Sequence, residues 1–240
     1  MAAKRKNLWS DNSGAAMLEF TAAAFTFFLI LFGSVEFANA YFQWNSTTKA
    51  VQWGARVAAV SDPIYVATPA DFTAIVSGFN AGDTLPFSAS AASNAYDITC
   101  DGSLNTCACV GSICPAMGTP SLDAFQRIVY GAAKRTKCVA ATSELDIGMC
   151  HLFSRIDLNN VVVRYQYTGL GYAGRPGGPV PTVTVSLHQR LNANDANVLQ
   201  FQFILIGALM RVVNSAFPDA IDMPTFATTV TGEDLTAAGS

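Results

Sequence analysis

Phe20 to Val35 reads FTAAAFTFFLILFGSV, an interval without a single charge and the most apolar part of the chain. It is slightly shorter than the roughly 20 residues that cross a hydrocarbon core of about 30 Å. Ala15 to Leu18 before it and Phe37 to Phe42 after it are apolar, small or neutral, and they extend it enough to span. Glu19 and Glu36 then fall near the two ends, where water or headgroups reach a carboxylate. The competing reading is a buried core helix of a soluble protein. Lys4, Arg5 and Lys6 come before any acidic residue, and the next basic residue is Lys49. A basic head directly before an apolar run predicts a cytoplasmic N-terminus and export of the rest of the chain.

Composition agrees. Of the 240 residues 51% are hydrophobic and only 13% charged, against about 25% charged in ordinary soluble domains. A formal charge of −3 gives no general attraction to nucleic acid. The length fits one globular domain with an appendage, able to bury its own core without a metal or cofactor.

Cys100, Cys107, Cys109, Cys114, Cys138 and Cys150 all lie beyond the apolar segment, on the side expected to be exported. An even number confined to that side suggests disulfides formed in an oxidising compartment. The rival is a metal cluster, because Cys100, Cys107, Cys109 and Cys114 crowd one loop, although paired Cys-x-x-Cys spacing is absent. Of the 15 connectivities that six cysteines allow, only Cys138 with Cys150 stands out as a local pair.

Three kinds of processing are open to the head. It stays whole as a signal anchor; or a signal peptidase cuts after Ala40, where Ala38-Asn39-Ala40 offers a small-x-small pattern; or it is cut before the apolar run. Glu36 and the length of the run count against the second. For the third, Gly14-Ala15-Ala16-Met17-Leu18-Glu19 behind a basic leader resembles the prepilin processing motif, with cleavage after Gly14 and Ala15 as the new N-terminus. Glycine leaves the backbone open to a peptidase. A carboxylate at the start of an apolar helix is costly in lipid unless paired, although an acidic residue in a first helical turn is favourable in any case.

The continuation makes the comparison more specific. Gly33-Ser34-Val35-Glu36-Phe37 is followed at helical spacing by Gly54-Ala55-Arg56-Val57-Ala58-Ala59-Val60. With Gly14 to Phe20, these residues resemble the head of the TadE-like family of pseudopilins, minor pilins of tight-adherence (Flp, type IVc) pilus systems. The resemblance covers residues 14–60, with Thr229-Val230-Thr231-Gly232-Glu233-Asp234-Leu235 a second, fainter match. It implies a prepilin-type leader over 1–14, a membrane helix with its exported extension over 15–62, and a periplasmic α+β domain over 63–240. It implies as partners the bacterial inner membrane, a prepilin peptidase, other pilins or pseudopilins and the assembly platform, with Glu19 setting one subunit against the N-terminal amine of the next. TadE-like and TadF-like roles stay open.

Within the exported part, Tyr41, Trp44, Thr48, Val51, Ala55 and Ala58 form a helical stripe, and Asp62-Pro63 should end the helix. A short helix is expected near Asp71 to Phe79, then an irregular disulfide-bound loop. Ser121 to Lys137 reads as a capped helix closed by Lys134, Arg135 and Lys137. Val161 to Thr168 and Pro181 to His188 alternate like an antiparallel hairpin. Leu199 to Met210 reads as a strand entering a short helix, too short to be a second span. His151 and His188 lack metal-ligand spacing, and no H-E-x-x-H or G-x-S-x-G motif occurs. Cys150 beside His151 would suit an activated thiol only if it were reduced. Tyr165, Tyr167 and Tyr172 suit either a binding surface or cross-strand packing. The expectation is a non-enzymatic protein without cofactor, metal site or nucleic-acid partner.

Overall fold

A computed structural model describes residues 14–66, 78–84, 96–111, 114, 117–174, 179–190, 195–205, 207, 211, 215 and 220–232. All of the expected leader except Gly14, and residues 71–77 of the expected short helix, lie outside these. The chain resolves into two compact units: residues 1–42 with 201–221, and residues 43–200 with 222–240.

Helix α1, Ala15–Val60, is 46 residues long and contributes to both units. Its sequence holds no proline, and the chain leaves the helix two residues before Asp62-Pro63, as the restriction before proline requires. Polar groups in its apolar part are satisfied locally. The hydroxyls of Thr21, Thr26 and Ser34 donate to the carbonyls of Met17, Ala22 and Ile30, at 2.7, 2.9 and 2.6 Å. Among the described residues α1 alone is long and apolar enough to cross a membrane, and its most apolar window is nowhere buried by protein.

The first unit takes in all but one residue of the three-residue strand β5, Gln200–Gln202, and of β6, Ala220–Asp222, which pair with each other; Gly207 and Arg211 between them are helical. The strand-then-helix reading of 199–210 therefore fits at the residues described.

The second unit is built on a five-stranded antiparallel sheet. Its strands are β1 (Tyr96–Asp101), β2 (Thr106–Gly111), β3 (Val161–Leu170), β4 (Val180–Leu187) and β7 (Ala227–Thr231), in the order β2-β1-β3-β4-β7. Alternation puts Ile98, Val163, Tyr165, Val183 and Val185 on the buried face, as a one-sided sheet demands. Arg164 and Asp97 pair on the other face, Arg164 Nε donating at 2.6 Å. The expected β3–β4 hairpin is present. The loop expected around the first four cysteines is instead the β1–β2 hairpin, with Cys100 opposite Cys107. The alternation Tyr96, Ile98, Cys100 carries its buried face and is easily hidden among Ala, Ser and Asn neighbours.

Helix α2 is shorter than expected, Leu122–Tyr130 rather than Ser121 to Lys137. Ser121 caps it, Oγ accepting from the Ala124 N–H at 3.2 Å. Gly131 ends it in the left-handed region, φ +85°, its N–H donating to the Arg127 carbonyl. The basic residues that looked like a helix end follow the stop. A one-turn helix α3, Met149–Leu152, carries Cys150.

The C-terminal half of α1 supplies the sheet unit's other packing surface. Its buried positions step from Gln43 through Thr47, Ala50 and Val51, and Gly54 and Ala55, to Ala58 and Ala59. The expected stripe is thus correct from Val51 onward but rotated at its start, for Tyr41 and Trp44 are exposed. Polar residues hold those buried places because they are bonded. Gln43 Oε1 accepts from Arg155 at 2.9 Å, and Thr47 Oγ1 donates to the Gln43 carbonyl at 2.7 Å.

Candidate functional site: the carboxylates and glycines of helix α1

Gly14 forms the turn that opens α1, and its carbonyl accepts from the Leu18 N–H at 3.2 Å. Among the described residues, a Cβ added to Gly14 would meet nothing within 4 Å. Packing within the described structure gives no reason for glycine there. Ala15 is the first helical residue, and Glu19 is the fifth, exposed and one place beyond the first turn. The helix-dipole account of Glu19 loses force with that placement, because the effect is confined to the first turn.

Glu36 is different from expectation. It is not left to water but is 5% exposed. Within the first unit its Oε1 accepts from the backbone N–H of Ile204 at 2.7 Å and from that of Leu205. One turn further along the same helix face, Asn39 Nδ2 donates to the Gln202 carbonyl at 3.1 Å. Two side chains three residues apart thus hold one returning segment. Phe37, the next motif residue, points outward and is 75% exposed.

The second glycine motif lies in the sheet unit and has a packing cause. A Cβ on Gly54 would stand 2.5 Å from Met149 Sδ, and Met149 is fully buried. Trp53 Nε1 donates to the Ile147 carbonyl at 2.7 Å on the adjoining stretch. Ala55 is buried, whereas Arg56 is exposed. Arg56, Ala59 and Val60 line an open groove of about 490 Å³ together with Val230 and Thr231. The two motif stretches far apart in sequence therefore meet.

All six cysteines are paired: Cys100–Cys107, Cys109–Cys114 and Cys138–Cys150. The Cys138–Cys150 pair matches expectation. The rival metal cluster fails because its four thiols are consumed in two disulfides. Cys150 likewise has no thiolate to offer His151. His151 Nδ1 accepts from the Gly148 N–H at 3.0 Å, so its proton sits on Nε2, which donates to the Val139 carbonyl at 2.7 Å. The ring pins the loop closed by the disulfide. His188 is buried with a ring nitrogen 3.4 Å from Asp101 and the other 3.0 Å from Asp195.

Of Tyr165, Tyr167 and Tyr172, the first two are core residues rather than a binding surface, and Tyr172 is exposed. Tyr165 is fully buried, its hydroxyl accepting from the Ile64 N–H at 3.2 Å and its ring packed edge-on against Tyr65 at 5.0 Å. Burial pushes the Tyr65 phenol up to about 12 and those of Tyr96 and Tyr165 well above the ordinary value. Tyr130 is also pushed up to about 12, by burial and by its hydrogen bond to Asp157.

Compared with known families, the chain matches the model of the TadE-like protein family over residues 14–56. The match begins at Gly14 and takes in Glu19, Glu36, Phe37, Gly54, Ala55 and Arg56. No curated protein and no solved structure matches the chain. The TadE-like match lies on the long apolar helix α1, ahead in sequence of a disulfide-bonded α+β sheet unit, and it suggests a pilus-associated protein.

Proposed function

We propose that this chain is a minor pilin or pseudopilin that takes part in assembly of a tight-adherence pilus. It is cleaved after Gly14 by a prepilin peptidase on the cytoplasmic side of the bacterial inner membrane. The first part of α1 then anchors it in a single pass, with residues 63–240 on the periplasmic face. Its partners are other pilins or pseudopilins and the assembly platform, and its role is structural rather than catalytic.

The observation that carries this reading is the family match beginning at Gly14, joined to an exposed carboxylate at Glu19 on an otherwise apolar helix. After cleavage Ala15 would bear the new amine, and Glu19 would be the fifth residue. A carboxylate in lipid is stabilised by a cation at ion-pair distance, and the amine of a neighbouring subunit supplies one where helices bundle. The unconstrained Gly14 supports a glycine required by a peptidase rather than by packing. The unbroken helix through Ala38, Asn39 and Ala40 disfavours a signal-peptidase cut there.

The test is a pair of variants expressed with the native pilus system. Gly14→Val should leave the chain at its full-length mass. Glu19→Ala should still be cleaved but recover markedly less of the other pilins on affinity isolation. Unchanged piliation and unchanged co-isolation with Glu19→Ala would remove the assembly mechanism and leave an exported module with a simple anchor.

A further inference from the structure

Ile204 is 60% exposed and Leu205 also points outward, although both sit in the apolar stretch 203–210, FILIGALM, whose next charge is the exposed Arg211. In the same unit these two residues are fastened to α1 at the level of Glu36, one residue past the uncharged interval Phe20–Val35. Counted from the helix start at Ala15, the 21 residues to Val35 cover roughly 32 Å at about 1.5 Å per residue, the depth of a hydrocarbon core of about 30 Å. Glu36 therefore stands where a spanning α1 leaves the hydrocarbon and enters the headgroup layer. Phe37, Tyr41 and Phe42 are exposed over the next turn and a half. Of these, Tyr41 has the amphipathic ring that membrane–water interfaces favour, and Phe37 and Phe42 add exposed apolar area beside it.

We propose that residues 203–205 are a second membrane contact of this chain, seated at the boundary between acyl chains and headgroups and held there by Glu36. The inference rests on the reading of Phe20–Val35 as a membrane span. Two liabilities offset each other at one of the two Glu36 carboxylate oxygens. Non-helical backbone near the hydrocarbon boundary needs its N–H groups satisfied, and a carboxylate at that depth needs donors. Glu36 Oε1 meets the N–H groups of Ile204 and Leu205, giving charge-assisted bonds to both, while Asn39 holds the adjoining Gln202 carbonyl. The occupant is lipid because the exposed side chains are uncharged and continue, along α1, a surface that lipid covers. Arg211 just beyond has the sign that anionic headgroups attract.

The experiment uses the full chain in vesicles of phosphatidylethanolamine and phosphatidylglycerol, with benzoylphenylalanine replacing one residue at a time. Photolysis at Ile204 is expected to yield lipid adducts by mass spectrometry. Phe28 in the span is the positive control, and Leu145 in the sheet unit is the negative one. Glu36→Ala should lower the adduct at Ile204 several-fold while leaving that at Phe28 unchanged, and Glu36→Gln, which keeps an acceptor, should restore most of it. Lipid adducts at Phe28 but none at Ile204, or adducts at Ile204 only to a second copy of the chain, would overturn the proposal while sparing the anchor. An adduct at Ile204 indifferent to Glu36→Ala would overturn the role of Glu36. Absence of lipid adducts at Phe28 would overturn the span and the proposal together.

Discussion

Single atoms decide two of the glycines. At Gly54 an added methyl group gains up to about 1 kcal/mol of helix propensity but must displace the buried Met149 side chain, and overpacking of that kind costs about 1–3 kcal/mol. Gly54→Ala should therefore lower the melting temperature of the detergent-solubilised chain. Because Met149→Ala vacates the same space, the double variant should be less destabilised than the two single changes added together; simple additivity would show that the contact is not limiting. Gly131 is more severe. Its φ of +85° is one that residues with side chains rarely adopt, and a Cβ there would meet the Asp146 carbonyl oxygen at 1.8 Å. Gly131→Ala should cost about 3 kcal/mol or more, read as loss of near-ultraviolet circular dichroism at a lower temperature. Glu36 was visible in the sequence only as a motif residue at the end of an apolar run. Its hydrogen-bond partners lie 168 and 169 positions away, and no local pattern of residues encodes a contact of that separation.

Elements with a clean period are legible in the sequence alone. The uncharged run of α1, the Ser121 cap of α2, and the alternation VVVRYQYT against PTVTVSLH each state their own geometry. The misread elements share a physical reason, which is that polar or small residues occupied structured positions. Gln43 and Thr47 sit on the buried face of α1 because Arg155 and a backbone carbonyl satisfy them, so a stripe drawn through Tyr41, Trp44 and Thr48 starts one face away. Lys134, Arg135 and Lys137 imitate a basic helix end, while Gly131 had already stopped the helix. Strands β1 and β2 are hidden in the sequence because three of their positions are cysteines among small and polar neighbours, which imitate a loop. The pairing of those cysteines is open to direct test. Non-reducing peptide mapping should recover Cys100–Cys107, Cys109–Cys114 and Cys138–Cys150 as three separate linked peptides; any cross-pairing among the first four would contradict the β1–β2 register. Replacing both Cys138 and Cys150 by alanine should cost about 3 kcal/mol, the scale expected for opening a loop of that size.

For the molecule as a whole, pH reports on the tyrosine core. Tyr65 and Tyr130 are pushed up to about 12, and Tyr96, Tyr165 and Tyr167 are also raised, each chiefly by burial. Unfolded tyrosines ionise near 10. Folding therefore favours the protonated phenols, and their contribution is complete below pH 10 and lost as pH rises through 12. Absorbance at the phenolate band should show these five lagging behind free tyrosine and ionising together with loss of sheet signal; ionisation of all five near pH 10 in a folded chain would contradict the packing. On the acid side, Arg190 and then Gln200 hold Asp222 at about 2, so its contribution is present above the unfolded value near 3.9 and fades as pH falls toward 2. At the largest scale the account joins a TadE-like head, a spanning helix and a disulfide-bonded sheet unit into one assembly subunit, and that claim turns on where the mature chain begins. The most direct measurement is the intact mass and N-terminal residue of the protein recovered from its native membrane. The account predicts a chain that starts at Ala15. A chain that starts at Met1, or one that starts at Tyr41, would contradict it.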